Sequence, residues 1–432
     1  RPEEVDQDWL YAPVWPEVNR HYAHLGVDAH SFPELVEQLR ILRCGHRPRV
    51  GDTFSGGGSI PFEAARLGCD VYASDLNPVA CMLTWGGLNI IGAPLERRSE
   101  ITRAQAQVAK GVDEEIVRLG IEHDANGNRA KAYLWCLEVR CPETGWMVPM
   151  SPSWVVSKTR NAVARLKPDH TNKRFEIDVV MGVPIGELKA AEKGTLQDGT
   201  LVYELNGRTY RTPIKTLRGD YRDADGNTGN RLRRWEKSDF KPQPEDIFQE
   251  RLYAIQWITE ETIDASRQET FFASVTEADL ERERQVEKRV ADNLARWQAD
   301  GWVPDMTIEP GDKTDEPIRT RGWTYWHHLF SPRQILVAAL VRDRINKLPE
   351  HLRPALALSL AKMLDWSSKL CRYGTGAARE SITQTFYNQA YNTNYSYGVR
   401  SFVTGRNYLF LTDASSEVHG KASVVNLQAA DL

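Results

Sequence analysis

Two acids and a run of glycines stand at a spacing that can hold a nucleoside-like ligand. The stretch "GDTFSGGGSIP" runs from Gly51 to Pro61, with Asp52 near its start and nearly bare backbone from Ser55 to Gly58. A second acid, Asp75, follows at about 20 residues from Gly56, the separation of the ribose acid in dinucleotide folds. A phosphate-binding loop would need a Lys-Ser/Thr pair after the glycines, and none is present. A dinucleotide fingerprint needs a third small residue where helix and strand pack. Counting from Gly56, that place is taken by Pro61. A plain structural turn stays open. So does S-adenosylmethionine, which has an amino group, a carboxylate, a sulfonium and a ribose but no phosphate. Its amino-acid end needs close backbone approach, which glycine permits. Asp52 supplies an acid at the end of one strand. Asp75 supplies another at the end of the next, where it can accept hydrogen bonds from ribose hydroxyls.

The elements needed to position these residues are legible around them. Arg49–Thr53 reads as a strand, and Asp70–Asp75 as a second one. Between them "IPFEAARLG" reads as a helix, with Pro61 in its first turn and Gly68 as its stop. This strand–loop–helix–strand unit predicts the start of a doubly wound α/β domain. Residues 1–48 read as mainly helical, with Leu35, Leu39 and Leu42 on one face of Phe32–Arg43. Residues 112–330 are rich in turns and charge. Leu201–Thr212 is a hairpin around Asn206-Gly207, and "DANGN" and "DADGN" mark two further turns. Thr276–Gly301 is a long charged helix with Val286, Val290, Leu294 and Trp297 as its apolar stripe. Ser331 and Pro332 open another helix, and a further one covers about Arg353–Leu364. Tyr408–Leu411 and Ser423–Leu427 suit buried strands.

The whole chain sets bounds. Its 432 residues allow two or three domains. Charged residues make up 26% and hydrophobic residues 41%, which is ordinary for a globular protein. No apolar stretch approaches the roughly 20 residues of a membrane helix, and no signal peptide is visible. The six cysteines are scattered without a disulfide framework, which predicts a reducing, cytoplasmic setting. A net charge of −4 leaves nucleic-acid binding to the placement of the basic residues.

"DTFSGGGSIPFEAARLGCDVYASDLNPVA" resembles the first two motifs of amino-group DNA methyltransferases. It is most similar to the adenine-specific DNA methylases that carry a zinc-ribbon remnant. Residues 301–334, "SSKLCRYG" (Ser367–Gly374) and "RCPETGWMVPMSPSW" (Arg140–Trp154) resemble the same family. The resemblance implies a Rossmann-like, class I S-adenosylmethionine-dependent methyltransferase fold, interrupted by a large α+β insert. It implies methyl transfer to the N6 amine of adenine in double-stranded DNA, in a restriction or anti-phage setting with other defence subunits as partners. By this match Phe54, Ser55, Gly56 and Gly58 line the methionine end, Asp75 holds the ribose and Leu76 lies near the adenine. The expected cofactor set is Asp52, Phe54, Ser55, Gly56, Gly57, Gly58, Asp75, Leu76 and Asn77.

Such enzymes take the target base out of the duplex and hold it with an Asp/Asn/Ser-Pro-Pro-aromatic motif. The chain has 22 prolines and no Pro-Pro pair; "SPSW" (Ser151–Trp154) is the nearest imitation. "ASVVNLQAADL" resembles the strand that precedes the motif, so the catalytic motif is expected beyond Leu432 and the chain is read as the cofactor-binding portion. Residues 76–422 separate Asp75 from Ser423, too many for one crossover. The expected division is therefore 1–48 helical, 49–111 first part of the cofactor domain, 112–330 insert and 331–432 continuation. Arg208–Arg234 holds seven Arg and one Lys against three Asp, with Tyr210 and Tyr221 interleaved. Arg231, Arg233 and Arg234 are candidate contacts to a DNA backbone, with a solvated hairpin face as the alternative. Cys136 and Cys141 lack the second pair a zinc site wants, so no metal is expected. His327 and His328 read as core. "TFYNQAYNTNYSYG" (Thr385–Gly398) could stack bases but suits packing better. Three other classes remain: an RNA base methyltransferase, a non-catalytic cofactor- or DNA-binding subunit, and a nicotinamide-dependent oxidoreductase.

Overall fold

Two short parallel strands carry the glycine loop. β1 (Arg49–Asp52) and β2 (Asp70–Asp75) pair with Val50 opposite Val71 and Asp52 opposite Ala73. A third parallel strand comes from the end of the chain: Ala422–Asn426 lies on the other side of β2, with Asn426 opposite Asp75. The return is tight. A Cβ on Gly420 would sit 1.6 Å from the Cys69 carbonyl oxygen, so only glycine passes there. The helix Ser59–Arg66 packs Ala65 against Val71 and Leu88 in a core that Val50, Val418 and Val424 complete.

The computed structural model describes residues 12–43, 45–376, 379–387, 390–411 and 417–427. They fall into two units, Arg1–Gln107 with Leu348–Ser359 and Phe410–Leu432, and Val108–Lys347 with Leu360–Leu409. The chain is a mixed α/β protein.

In the first unit, helices α1 (Trp15–Tyr22) and α2 (Phe32–Arg43) meet at Trp15 and Phe32, whose rings are edge-on at 5.1 Å. Leu35 and Leu39 pack on this cluster. Leu42, expected on the same face, is 47% exposed, because the α1 cluster ends one turn before it. The helix after the glycine loop, Ser59–Arg66, is α3. Helix α4 (Pro78–Gly86) follows β2, and α5 (Leu95–Leu119) leads the chain into the second unit.

The second unit is built on an eight-stranded mixed sheet. Its long strand β3 (Arg129–Arg140) alternates little and is buried on nearly every residue, as a central strand should be. Strands β4 (Met147–Met150), β5 (Val155–Ser157), β6 (Ala162–Asp169), β7 (Arg174–Val180), β8 (Phe248–Ile258) and β9 (Thr270–Ser274) extend the sheet in the order β9-β8-β3-β4-β7-β6-β5. β10 (Ser396–Arg400) pairs with the part of β3 that β4 leaves free. The 200–213 hairpin turns at Asn206 and Gly207, whose φ values are 54° and 74°. An Asn-Gly turn of this kind requires positive φ at both positions. Helix α6 (Glu277–Ala299) starts at a Thr276–Asp279 capping box and buries Val286, Val290, Leu294 and Trp297. Helix α7 (Pro332–Asn346) starts at the matching Ser331–Gln334 box and packs against α6, and α8 (Arg353–Asp365) begins among residues of the first unit and ends among those of the second.

Two expectations differ from this arrangement. Residues 331–347 and 360–409, read as a continuation of the cofactor domain, belong to the second unit, because α7 packs on α6 and β10 joins β3. Tyr408–Leu411, read as a strand, contains instead the end of a 3₁₀ helix, Arg406–Leu409. A short apolar run does not itself distinguish strand from helix. Tyr408 stacks on Trp366 at 4.5 Å with Arg400 over both rings. No single helix among the described residues is long and apolar enough to cross a membrane.

Candidate functional site

The carboxyl ends of three parallel strands converge on the glycine loop. Asp52 ends β1, Asp75 ends β2 and Asn426 ends the C-terminal strand. Crevices at this edge of parallel sheets are where such folds take ligands.

The loop is pinned at both ends by hydrogen bonds. The Phe54 N–H donates to Asp52 Oδ1 (3.2 Å), the Ser55 N–H to the Ser74 carbonyl (3.0 Å) and the Gly58 N–H to the Ser55 carbonyl (2.7 Å). The Gly56 N–H donates to Asp75 Oδ2 (2.9 Å), and the Asn77 N–H to Asp75 Oδ1 (2.9 Å). Asp75 thus ties the glycine loop to the start of α4. These backbone donors, Asn77 foremost and then Gly56, hold its carboxyl below the usual carboxylate range. A carboxylate has about four lone-pair sites. Two backbone bonds leave capacity for hydroxyl donors.

The three glycines differ in what the fold asks of them. Gly56 and Gly58 sit at φ 50° and 83°. A Cβ on Gly58 would meet Thr84 Cα and Oγ1 at 2.8 Å. Gly57 has neither constraint: its φ is not in the left-handed region, and an added Cβ would meet nothing within 4 Å. The fold alone leaves that glycine unexplained.

Around the loop the surface is unusually apolar. Each strand end is followed within two residues by an exposed large side chain: Phe54 (79%), Leu76 (66%) and Leu427 (39%). The first turns of α3 and α4 add Ile60 and Val79, also exposed. Singly exposed apolar residues are common. Their recurrence at one sheet edge suits a flat apolar group.

Two supporting residues, Asn426 and Thr84, carry no local motif and were not anticipated, whereas Asn77 belongs to the expected cofactor set. Asn426 Nδ2 donates to the Asp75 and Leu76 carbonyls (2.8 and 2.9 Å), fixing the turn that presents Leu76. Thr84 Oγ1 donates to Ser55 Oγ (3.2 Å) and the Gly56 carbonyl (3.3 Å). Asn77 caps α4 by accepting the Val79 N–H (2.9 Å). The final polar residue of "ASVVN" was the one visible signal for Asn426.

The other candidates lie in the second unit. Arg233 is half-buried and committed: Nε and a terminal nitrogen donate to both Asp246 oxygens (2.7 and 2.8 Å), and the other terminal nitrogen to Asp239. Arg234 donates to the Ile318 carbonyl and forms no ion pair with a described residue. Arg231 is exposed, with its side chain lying along Gly219. The three arginines therefore form no common face. Cys136 is buried in the sheet and Cys141 lies by Thr212 Oγ1 at 3.8 Å. Among the described residues no group of three or more His, Cys, Asp or Glu could hold a metal. Trp154 of "SPSW" is buried edge-on to Tyr253, out of reach of a base.

His327 and His328 are fully buried. His328 Nδ1 accepts the Thr324 and Tyr325 N–H groups, so Nε2 carries the proton and donates to the Glu236 carbonyl (2.9 Å). Burial first, and then its neighbour His327, push the His328 pKa down to about 2, so the ring is neutral.

No protein-family model, curated protein or solved structure matches the chain.

Proposed function

We propose that the first unit binds S-adenosylmethionine at the glycine loop, and that the chain is the cofactor-binding part of a Rossmann-like methyltransferase acting on an amino group of a nucleic-acid base, adenine in DNA being the first candidate. The bond from the Gly56 N–H to Asp75 carries this assignment, because it couples the bare loop to an acid placed for a ribose. In this reading Gly56 to Gly58 take the methionine end. Asp52 stands by its amino group, Asp75 accepts from the ribose hydroxyls, and Phe54 and Leu76 border the adenine. Gly57, which the fold leaves unconstrained, gains a reason if a ligand lies on it. When bound, the cofactor supplies an electrophilic methyl group on its sulfonium. The protein's own residues hold and orient it. The order of the three parallel strands, with β2 central, is the order that places a second-strand acid beside the loop. The chain contains no Pro-Pro pair, so it is assigned cofactor binding and no base-holding residue.

Equilibrium dialysis of the folded protein with labelled S-adenosylmethionine tests this, with NADH as the competing ligand. Binding of the former alone is expected. Asp75→Ala should weaken it by at least about tenfold, since hydrogen bonds to a charged group contribute about 1.5–3 kcal/mol. Binding of NADH instead, or equal affinity in folded Asp75→Ala, would overturn the assignment.

A further inference from the structure

Three basic side chains that make no ion pair with a described residue line one cleft of the second unit. Its volume is about 540 Å³, and it lies between the Tyr221–Gly229 ribbon and the helix Asp315–Arg321. Lys215 and Arg222 line it, are exposed, and make no ion pair with a described residue. Arg234 lines it too, held in place by the Ile318 carbonyl but unneutralised by any described residue. Against these three cations the cleft offers Asp315, exposed and without an ion pair to a described residue; Asp220 is taken by Arg218. Other arginines are paired. Arg233 pairs with Asp239 and Asp246 and Arg208 with Glu143, while Arg319, which also lines the cleft, pairs with Glu316.

Tyr221 gives the cleft a second character. It is 56% exposed, and its ring lies over Gly229, where an added Cβ would come 2.6 Å from the phenol oxygen. The missing side chain at position 229 thus lets an aromatic face lie flat at the wall of a cationic cleft. Fixed cations beside an accessible ring suit a sugar–phosphate chain with bases to stack, more than a compact anion.

We propose that this cleft binds the backbone of a nucleic acid through Lys215, Arg222 and Arg234, with Tyr221 against a base or sugar. The choice of nucleic acid among polyanions rests on the methyltransferase assignment; the cationic character of the cleft does not. A spacious anion site also needs no cofactor, so the two can be tested apart.

The test is fluorescence anisotropy of the full chain with labelled single-stranded and duplex oligonucleotides across a salt series, with heparin as competitor. Lys215→Glu/Arg222→Glu should weaken binding by about tenfold or more at low salt and lower the salt slope by about two. Both side chains are exposed, so folding is not at stake, and a circular dichroism spectrum verifies this. Tyr221→Ala should weaken single strands more than duplex. Arg208→Glu, an exposed basic change outside the cleft, should change affinity by less than about threefold. Unchanged affinity and slope in the double variant, or equal losses from Arg208→Glu, would overturn the proposal. So would binding of heparin with no binding of either oligonucleotide. Cleft-dependent nucleic-acid binding without S-adenosylmethionine binding would sink the cofactor assignment and leave the cleft standing; cofactor binding with no cleft effect would do the reverse.

Discussion

The glycine loop and the interior of the second unit use polar groups in opposite ways. Deep in the second unit charges are buried and matched. Arg333, 2% exposed, pairs with Glu283 and lies over the Tyr133 ring at 4.1 Å. Lys369 pairs with Glu250 at 2.9 Å between the faces of Trp235 and Trp323. Arg129 is held by Asp113 (2.6 Å) and Glu122 (3.0 Å), and Glu138 by Arg174 (3.1 Å) and Arg251 (2.6 Å). At the loop of the first unit, by contrast, two carboxylates, Asp52 and Asp75, accept backbone N–H groups at a rim flanked by exposed Phe54 and Leu76. Buried pairs add specificity more than net stability, because desolvation offsets much of their attraction. These buried charges of the second unit are thus invested in its own fold. At the loop most amides are bonded within the chain, and what remains for a ligand is the spare lone-pair capacity of Asp75.

The difference is sharpest where one partner is removed. Glu283→Ala removes the carboxylate bonded to the buried Arg333 guanidinium and leaves the Ile121 carbonyl and the Tyr133 ring against it. Such a loss costs about 3–5 kcal/mol. Hydrogen exchange of the β3 and β8 amides should speed up accordingly, while β2 amides keep their rates. Uniform loss in both units, or a change below about 1 kcal/mol, the ordinary cost of a point mutation, would show that these charges do not bear on one unit alone.

A smaller effect follows from His328. Its folded pKa is depressed and it stays neutral, whereas the unfolded chain takes up a proton near the ordinary histidine value. Stability of the second unit is therefore full above about pH 6.5 and lost progressively as pH falls below it. From pH 7 to 5 one such group loses about 2 kcal/mol. Burial also lowers the His327 pKa, in the same direction. Trp235 lies edge-on to His328 at 5.1 Å, so tryptophan fluorescence in urea reads this region. His328→Asn should be less stable at pH 7 and show a flatter pH dependence. An unchanged slope would mean that His328 is not the proton-linked group.

The same contrast explains what could be read from the chain. β1, the loop, α3 and β2 follow one another without interruption from Arg49 to Asp75. Local signals suffice there: Gly58 and Gly68 at positive φ, Pro61 in the first turn. Capping boxes at Thr276 and Ser331 are equally local. The partition of residues 331–409 was not legible, because it depends on β10 finding β3 over the long separation between Cys136 and its partner Ser396. Nor can a count of charges reveal pairing. Arg233 and Arg234 are neighbours, yet one is bound by two carboxylates and the other lines a cleft. Asn426 supports the Asp75 turn from the far end of the chain, and no sequence spacing connects the two.

The smallest change in stability gives the most selective test of the loop. Gly58 cannot be replaced without moving Thr84, so its loss would confuse folding with binding. Gly57 has open space and an ordinary φ, so the fold accepts alanine there. Gly57→Ala should change stability by no more than about 0.5 kcal/mol, and reducing the freedom of the unfolded chain favours a slight gain. A ligand laid against the loop backbone would meet the new methyl group. Dialysis should then show S-adenosylmethionine affinity falling by about tenfold or more, a steric cost of about 1.4 kcal/mol. If affinity and stability are both unchanged, the ligand does not cross Gly57. The glycine cluster would then be a turn built for Gly56 and Gly58, and any ligand would be held by Asp75 and the apolar rim alone.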